Sequence, residues 1–243
     1  MLPAYTPTDS RSDNEAPVAR TLDHTVHTVR RDAILDAAEL FIRTRGYDQM
    51  SIQAIQDELG VSRGAIYHYF GSKADILEAV LDRMGDAAFA LLEPIVADPD
   101  LAAPAKLQTV FATAGRWKTE RSDVLLPLIR SWYSEDNDLV RLRLERIAGG
   151  RLRPLIARIV RQGTAEGAFK VTSPDETAAL LVALLYAAGD AVGWLLVHPG
   201  VQRPYPEASR IVAAYGEAIE RVLGLSAGSF ELMDEPTLRF WFG

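Results

Sequence analysis

The segment 62–73, SRGAIYHYFGSK, concentrates side chains that can bind phosphate or read the edge of a base. It carries one arginine, one lysine, one histidine and two tyrosines. The fourteen positions 61–74 contain no acid, although the chain has a formal net charge of −7. Cationic and hydroxyl groups of this kind donate hydrogen bonds to phosphate oxygens, and arginine also pairs with guanine. Two interpretations are open: a contact surface for a polyanion, or a core segment with a few polar side chains.

The residues around this segment predict short helices joined by tight turns. Ser51 is a suitable N-cap for a helix that ends at Gly60, and Ser62 for a second helix that starts directly after it. Ser72 and Asp75 form a capping box for a third helix. Two helices of about eight residues around a glycine turn are typical of a helix-turn-helix. Its predicted core is Ile52, Ile55, Leu59, Val61 and Ile66.

An amphipathic helix precedes this unit and is expected to end at Gly46. Its helical spacing of apolar residues predicts one buried face. The residues of that face are Ile34, Leu35, Ala38, Leu40 and Phe41.

A helix-turn-helix places the start of its second helix in the major groove, with flanking groups on phosphates. Arg63 is therefore assigned to a base edge or a nearby phosphate, and Gly64 leaves room for close approach. Tyr67 and His68 are one turn further and can donate to phosphate oxygens. Lys73 lies in the first turn of the next helix, where free backbone amides also favour an anion. The predicted DNA contacts are Ser51, Ser62, Arg63, Gly64, Tyr67, His68 and Lys73.

The alternative interpretation makes the aromatic residues core and Lys73 a solvated charge. Helical spacing separates the two sets, because Ile66, Tyr69 and Phe70 share one face while Arg63 and Tyr67 share another. The first set is expected to be core. DNA contact is favoured for Arg63, Tyr67 and Lys73, and both interpretations stay open for His68.

Composition narrows the class of protein. The chain has 243 residues, of which 48% are hydrophobic and 24% charged, as in an ordinary globular protein. The absence of cysteine excludes disulfides and cysteine nucleophiles and favours an intracellular protein. The 33 acids against 26 bases argue against a protein that coats nucleic acid by bulk charge. The longest apolar segment is interrupted by Asp190, so we expect a cytoplasmic protein that does not span a membrane.

Catalytic, cofactor and metal signals are weak. The sequence has no Gly-x-Ser-x-Gly elbow, no HExxH and no glycine-rich phosphate loop, so an enzyme is the less favoured class and no cofactor is expected. His24 and His27 have metal-ligand spacing, but no acid cluster surrounds them, and we expect no metal site. A further alternative is an interaction protein that uses the helix-turn-helix only for packing.

The helical spacing recurs along the whole chain, and period-two alternation is nowhere sustained, which predicts an all-α protein. The predicted order is a disordered tail over 1–22, a helix-turn-helix DNA-binding domain over 23–84, a larger helical ligand-binding and dimerisation domain over 85–224, and a C-terminal tail over 225–243. Helix breaks are expected at Pro94, at Pro127 and in the glycine-rich segment 148–154. Ser173 and Glu176 are expected to form a capping box.

The stretch AILDAAELFIRTRGYDQMSIQAIQDELGVSRGAIYHYFGSKADILEAV resembles the N-terminal domain of the TetR family of bacterial transcriptional regulators. The resemblance rests on the Gly-Val-Ser turn and on the residues around it, over about fifty positions. Gln53 and Gln56 depart from the pattern, since this helix is usually more apolar or more basic. The resemblance implies a ligand-responsive repressor that binds a palindromic DNA operator as a homodimer and is released by a small-molecule effector.

The resemblance also implies that two late helices, 174–198 and 206–223, form a four-helix bundle with the partner. The first is dense in small residues, which permit close approach between helices. They are Ala178, Ala179, Ala183, Ala187, Ala188 and Ala191. Alanine also serves tightly packed internal helices, so the pattern alone leaves both roles open.

Large, partly polar side chains provide candidates for the effector pocket. Pro127 is expected to kink its helix, and Tyr186, Asp190, Trp194 and His198 recur every four residues. The candidates are Trp117, Pro127, Trp132, Tyr133, Tyr186, Asp190 and Trp194. The alternatives are core aromatic residues, and an Asp190 neutralised by an arginine across the dimer.

The segment 141–161 contains seven arginines against the single acid Glu145. Most of them are expected to be solvated or paired with acids elsewhere in the chain, while an anionic ligand or a second DNA contact is the alternative.

Overall fold

The computed structural model describes residues 16–133, 138–198 and 204–243, with no description of the side chains of 16–25 and 138–148. The described residues form ten α-helices and no strand, which confirms the all-α prediction. The helices are α1 (Ala16–Arg45), α2 (Ile52–Leu59), α3 (Arg63–Tyr67), α4 (Lys73–Ala97), α5 (Ala103–Glu120), α6 (Ser122–Trp132), α7 (Asp138–Ala165), α8 (Pro174–Val197), α9 (Pro204–Leu223) and α10 (Glu235–Phe242).

The helix-turn-helix has the predicted N-caps. The Oγ atoms of Ser51, Ser62 and Ser72 accept hydrogen bonds from the backbone N–H three residues later, at 3.0, 3.3 and 3.1 Å. Gly60 has a φ of 63°, a left-handed conformation that glycine adopts without steric cost. Helix α3 has only five residues, which is shorter than expected. Its backbone is therefore positioned by the cap and by packing rather than by its own length.

Helix α1 starts at Ala16, inside the segment that the sequence assigned to a disordered tail. Residues 1–15 of that predicted tail lie outside the described residues. The five residues 26–30 are exposed, and burial starts only at Ile34. The first part of α1 is therefore a helical extension, and its described side chains, 26–30, do not contribute to the core.

An N-terminal core joins α1, α2, α3 and the first half of α4, and also receives α6 and Trp117 of α5. Ile55 and Ile66 are fully buried in it, as predicted. Val61 and Leu40 are instead 38% and 37% exposed. Val61 follows the Gly60 turn on the outer side, and Leu40 lies two residues from Ala38 and hence on the opposite side of α1.

A middle core is formed by the second half of α4 with α5, α7, α8 and α9. Helix α4 contributes Ile76 and Val80 to the N-terminal core and Leu92 and Val96 to the middle core, so one continuous helix links the two. The predicted helix breaks at Pro94, at Pro127 and before Pro154 are wrong, because all three prolines lie inside helices. Buried neighbours on the same helices offset the backbone hydrogen bond that each proline removes.

Helix α8 differs in detail from its prediction. Ser173 makes no side-chain capping bond, so the expected capping box is absent, while Asp175 in the first turn pairs with Arg161 of α7. Helix α8 is also the one helix of the described chain that is long and apolar enough to cross a membrane, with a third of that apolar window buried. It packs against α7 on one side and α9 on the other.

The segment predicted as a C-terminal tail is folded against the protein. Phe230 is buried in the middle core, and Leu238 and Phe242 of α10 form a small C-terminal core with α8 and α9. The Glu220 carboxylate is buried and accepts the Phe230 N–H at 2.9 Å. The polar loop and the aromatic helix α10 thus pack against α5 and α9. The segment is therefore not the tail that the sequence predicted.

Candidate nucleic-acid interface

The second helix of the helix-turn-helix presents a continuous exposed surface. Residues 61–65 and 67–68 are all exposed, and only Ile66 between them is buried. We call these seven exposed residues the reading surface. Ile66 and Phe70 anchor it to the N-terminal core, with Tyr69 partly buried beside them. The separation of core and surface predicted from helical spacing is therefore confirmed.

Arg63 and Tyr67 form a pair on the reading surface. The Arg63 Nη2 donates to the Tyr67 Oη at 3.2 Å, and the guanidinium lies 5.3 Å from the centre of the Tyr67 ring. This hydrogen bond raises the pKa of Arg63 further above its ordinary value. The hydroxyl and the ring of Tyr67 therefore both contact the guanidinium at the start of α3.

Lys73 has a different environment from the predicted one. Its Nζ donates to the backbone carbonyl of Asp48 at 3.1 Å and lies 4.2 Å from the centre of the Tyr47 ring. Partial burial disfavours the charged ammonium and so lowers the pKa of Lys73. Burial also disfavours the charged phenolate and so raises the pKa of Tyr47. The ammonium group of Lys73 thus links the turn between α1 and α2 to the start of α4. Its remaining N–H groups can donate to a phosphate.

His68 lies at the end of α3 beside a residue that the sequence did not assign to DNA. The His27 ring of α1 is 4.6 Å from the Tyr69 ring and 5.9 Å from the His68 ring. The signal in the sequence is the acid-free run HTVHTVRR over 24–31, two arginines and two histidines directly before Asp32. The extension of α1 therefore borders the reading surface.

A second feature missed from the sequence is a polar link between α6 and the helix-turn-helix. Ser131, which is buried, donates to the Asp48 carboxylate at 2.8 Å, and Arg43 of α1 lies 3.7 Å from the Asp123 carboxylate of α6. Asp48 thus connects α6 through its side chain and Lys73 through its carbonyl. Ser131 and Asp48 belong to no motif that predicts a contact between them, so this link could not be predicted from sequence spacing.

The effector-pocket candidates fall into four separate surroundings. Trp117 and Trp132 lie in or against the N-terminal core, and both indole N–H groups are buried without a hydrogen-bond partner in the described structure. Pro127 lies half-buried on α6 between them. Both tryptophans therefore belong to the N-terminal core, and their assignment to an effector pocket stays a prediction.

The other candidates are on or near α8. Tyr133 donates through its hydroxyl to the Asp190 carbonyl at 2.8 Å and lies 3.1 Å from the Asp190 carboxylate. Tyr186 packs against the middle core. Trp194 is 45% exposed and stacks on the His198 ring at 3.9 Å between centres. The residues that recur every four positions on α8 thus have different surroundings. Asp190 is bonded to Tyr133, Tyr186 packs against the middle core, and Trp194 and His198 stack at the surface.

The arginine-rich segment is largely paired where its side chains are described. Arg151 binds Asp86 at 2.5 Å, Arg158 binds Glu93 at 2.5 Å, and Arg161 pairs with Asp175. These bonds join α7 to α4 and α8. Arg153 is exposed, and Arg141, Arg143 and Arg146 lie outside the described side chains. The predicted pairing with acids elsewhere holds for the three bonded arginines.

Residues 34–80 match the family model described as "Bacterial regulatory proteins, tetR family". The DNA-binding part of the chain is therefore that of the TetR family. The matched residues comprise the last three turns of α1, the helix-turn-helix and the first turns of α4, which is the unit that carries the reading surface.

Two curated relatives are named as HTH-type transcriptional repressors. The HTH-type transcriptional repressor KstR2 of Mycolicibacterium smegmatis is 24% identical over 141 residues, which covers 58% of this chain and 68% of that protein. The HTH-type transcriptional repressor BepR of Brucella suis biovar 1 is 43% identical over 53 residues, but these make up 22% of this chain and only 25% of BepR. The BepR match thus spans only about a quarter of that protein's length.

The fold extends over more of the chain than the sequence similarity does. The solved structure described as a SmeT–triclosan complex is 20% identical, and the match covers 83% of this chain and 94% of that chain with a TM-score of 0.58. The similarity of fold therefore continues through the helices after α4. The family model and the curated repressors support a DNA-binding transcriptional regulator.

Proposed function

We propose that the protein is a cytoplasmic, ligand-responsive repressor that binds a palindromic operator as a homodimer and is released by a small-molecule effector. The observation that carries the proposal is the Arg63–Tyr67 pair, a charged donor held in one orientation on an exposed, acid-free surface. A rigid core lies directly beneath it, because Ile66 is fully buried. Pre-organised donors of this kind suit sequence readout in the major groove.

The reading surface divides naturally into base and backbone contacts. Arg63 points outward from the first position of α3 and is the group to pair with a guanine or a phosphate near it. Tyr67 and His68 are one turn further and supply phosphate contacts, as do the exposed hydroxyls of Ser51 and Ser62 at the helix starts. Lys73 acts mainly by positioning, since its ammonium binds the Asp48 carbonyl.

Dimerisation is supported by an exposed apolar face on α8. Leu180 and Trp194 are 58% and 45% exposed, and Ala183 and Ala187 between them are also exposed. Their spacing of three, four and seven residues places them on one side of the helix, away from its contacts with α7 and α9. Burying this face against the partner's α8 and α9 brings two reading surfaces to one DNA, at a separation of about 34 Å for adjacent major grooves.

Two connections can transmit effector binding to the reading surface. Helix α4 is shared by the N-terminal and middle cores, so a displacement of its second half moves the helix-turn-helix at its start. Helix α6 reaches the turn before α2 through the Ser131–Asp48 bond. An effector that binds better to a spacing unsuited to the operator releases DNA by population shift.

The test is selection of random duplex DNA by the purified protein near physiological salt, followed by sequencing of the retained fraction. We expect an enriched palindrome. Arg63→Ala should then lower specific affinity by about 1–3 kcal/mol per half-site, the usual value of a good arginine–base pair. Tyr67→Phe should weaken binding less, because it removes the hydroxyl that orients Arg63 and leaves the charge.

The matched control is Arg153→Ala, which removes an exposed arginine from α7 in the larger domain. It should leave the retained sequences and the affinity unchanged. Thermal unfolding of Arg63→Ala should match that of the unmodified protein, since Arg63 is exposed. Absence of any enriched motif, or equal losses in the Arg63 and Arg153 variants, would refute the assignment.

A further inference from the structure

The helical extension of α1 has a defined direction relative to the reading surface. The C-terminal part of α1 lies beside α6 of the larger domain, through Arg43 and Asp123. Its middle lies beside the end of α3, where the His27 ring meets the rings of His68 and Tyr69. A helix that passes first α6 and then α3 continues away from the larger domain. Residues 16–26 therefore project on the side of the protein that carries the reading surface.

The length of the projection is sufficient to reach beyond one groove. The eleven residue steps from Ala16 to His27 rise about 16 Å at 1.5 Å per step, whereas the major groove of B-DNA is about 12 Å wide. With α3 in the groove, a helix that leaves from its end arrives at the phosphate strand that borders the groove.

The surface of the extension has the chemistry of a DNA contact. The run 24–31 contains no acid, and the side chains described from 26 to 30 are all exposed. Val26 and Val29 are 48% and 63% exposed, so the chain itself leaves much of both apolar side chains in solvent. Arg30 is exposed and has no partner in the described structure, and it shares a face with Val26 four residues earlier.

The neighbouring residue, Arg31, packs within the protein and differs in this from Arg30. Arg31 is half-buried, lies 5.5 Å from the centre of the Phe70 ring, and borders a surface groove of about 270 Å³ whose other walls include Asp75, Glu78 and Asp82 of α4. Arg30, by contrast, is exposed, and no ion pair to a described acid is formed by it.

We propose that residues 26–30 of the α1 extension form a second DNA-contacting element, in which Arg30 binds a phosphate flanking the half-site that α3 reads. His27 is a positioning residue, because its ring against Tyr69 and His68 fixes the extension to the end of the reading surface. Val26 and Val29 pack on the sugar edge of the same strand. This inference rests on the proposed function, since it needs the reading surface to be in the groove.

The experiment compares Arg30→Gln with Arg116→Gln in the full chain; Arg116 is an exposed arginine of α5 in the larger domain. Binding of each variant to the selected operator and to a scrambled duplex is measured over a range of salt concentrations. Arg30→Gln should weaken both complexes equally. It should also reduce the slope of log K against log salt by about 0.9 per lost phosphate contact, or about 1.8 for a dimer. Arg116→Gln should leave the slope unchanged.

Hydroxyl-radical footprinting supplies the second readout. The unmodified protein should protect sugars just outside each half-site, and both Arg30→Gln and His27→Ala should lose these outer protections while keeping the central ones. An unchanged slope together with unchanged outer protections overturns the proposal and assigns the extension to a protein partner. If Arg63→Ala lowers specific affinity while the Arg30 variant behaves as the control, the extension proposal fails and the proposed function stands. If no duplex is bound at any salt, the proposed function itself fails.

Discussion

The surroundings of Gly163 and Gly150 in helix α7 predict opposite effects on stability when each is replaced by alanine. A Cβ atom added at Gly163 would lie 2.2, 2.4 and 2.7 Å from three atoms of the Phe169 ring, which is 97% buried in the middle core (3% exposed). A Cβ atom added at Gly150 would meet no heavy atom within 4 Å. Gly163→Ala and Gly150→Ala thus form a matched pair within one helix.

The magnitude follows from two opposing contributions. Alanine is better than glycine inside a helix by about 1 kcal/mol, which applies to both positions. At Gly163 the Phe169 ring has to retreat by about 1.2 Å to restore an ordinary 3.4 Å contact, and overpacking of this kind costs about 3 kcal/mol at the upper end of its usual range. We expect Gly163→Ala to destabilise the protein by about 2 kcal/mol and Gly150→Ala to stabilise it by about 1 kcal/mol.

The assay is thermal unfolding at a fixed protein concentration, since association makes the midpoint depend on concentration. For a chain of this size, about 2–4 °C corresponds to each kcal/mol. Gly163→Ala should lower the Tm by about 4–8 °C, and Gly150→Ala should raise it by about 2–4 °C. Both variants should keep the helical circular dichroism of the unmodified protein.

A double-mutant cycle tests the assigned cause. Phe169→Leu removes the ring that the new methyl group meets, so Gly163→Ala should cost less in that background than alone. If Gly163→Ala stabilises the protein as Gly150→Ala does, or if its cost is the same with and without the Phe169 ring, the packing argument for the end of α7 is refuted.

Two further predictions concern the end of the chain and the dimer. Backbone N–H donors, first that of Phe230, hold the pKa of Glu220 below its usual value, so its stabilising contribution is present above about pH 4.3 and is lost as the pH falls through the lowered pKa. Urea unfolding at stepwise lower pH should therefore show the unmodified protein losing its advantage over Glu220→Gln; a constant difference would exclude this role. Leu180→Glu should abolish dimers in sedimentation and also operator binding, whereas Leu91→Glu, equally a substitution of an exposed leucine but on α4, should do neither. Dimers that persist in the Leu180 variant would place the interface elsewhere.

The N-terminal domain could be predicted closely because its determinants are local. A serine cap makes its hydrogen bond three residues away, a glycine supplies the left-handed turn, and the split between buried Ile66 and exposed Arg63 follows from helical spacing. These interactions lie within one or two turns, so the sequence alone contains them. The same locality explains why the family could be predicted from about fifty residues.

The larger domain was less predictable because its proline and tail signals depend on distant partners. Pro94, Pro127 and Pro154 read as helix ends, yet packing of neighbouring residues keeps each helix continuous. The end of the chain reads as a polar tail, yet the buried Glu220 and the side chain of Gln108 bind its backbone from positions 10 and 123 residues away. No local pattern encodes a hydrogen bond over such a separation.

By itself, the sequence determined the all-α class, the helix-turn-helix and its exposed cationic face, since caps, turns and helical periodicity are properties of short segments. Only the tertiary structure decided that Lys73 binds the turn at Asp48, that Ser131 links α6 to that turn, and that the α1 extension borders the reading surface at His27. Each of these depends on where two separate helices meet. That geometry is fixed by the burial of many side chains together, and it is not carried by the spacing of residues within any one helix.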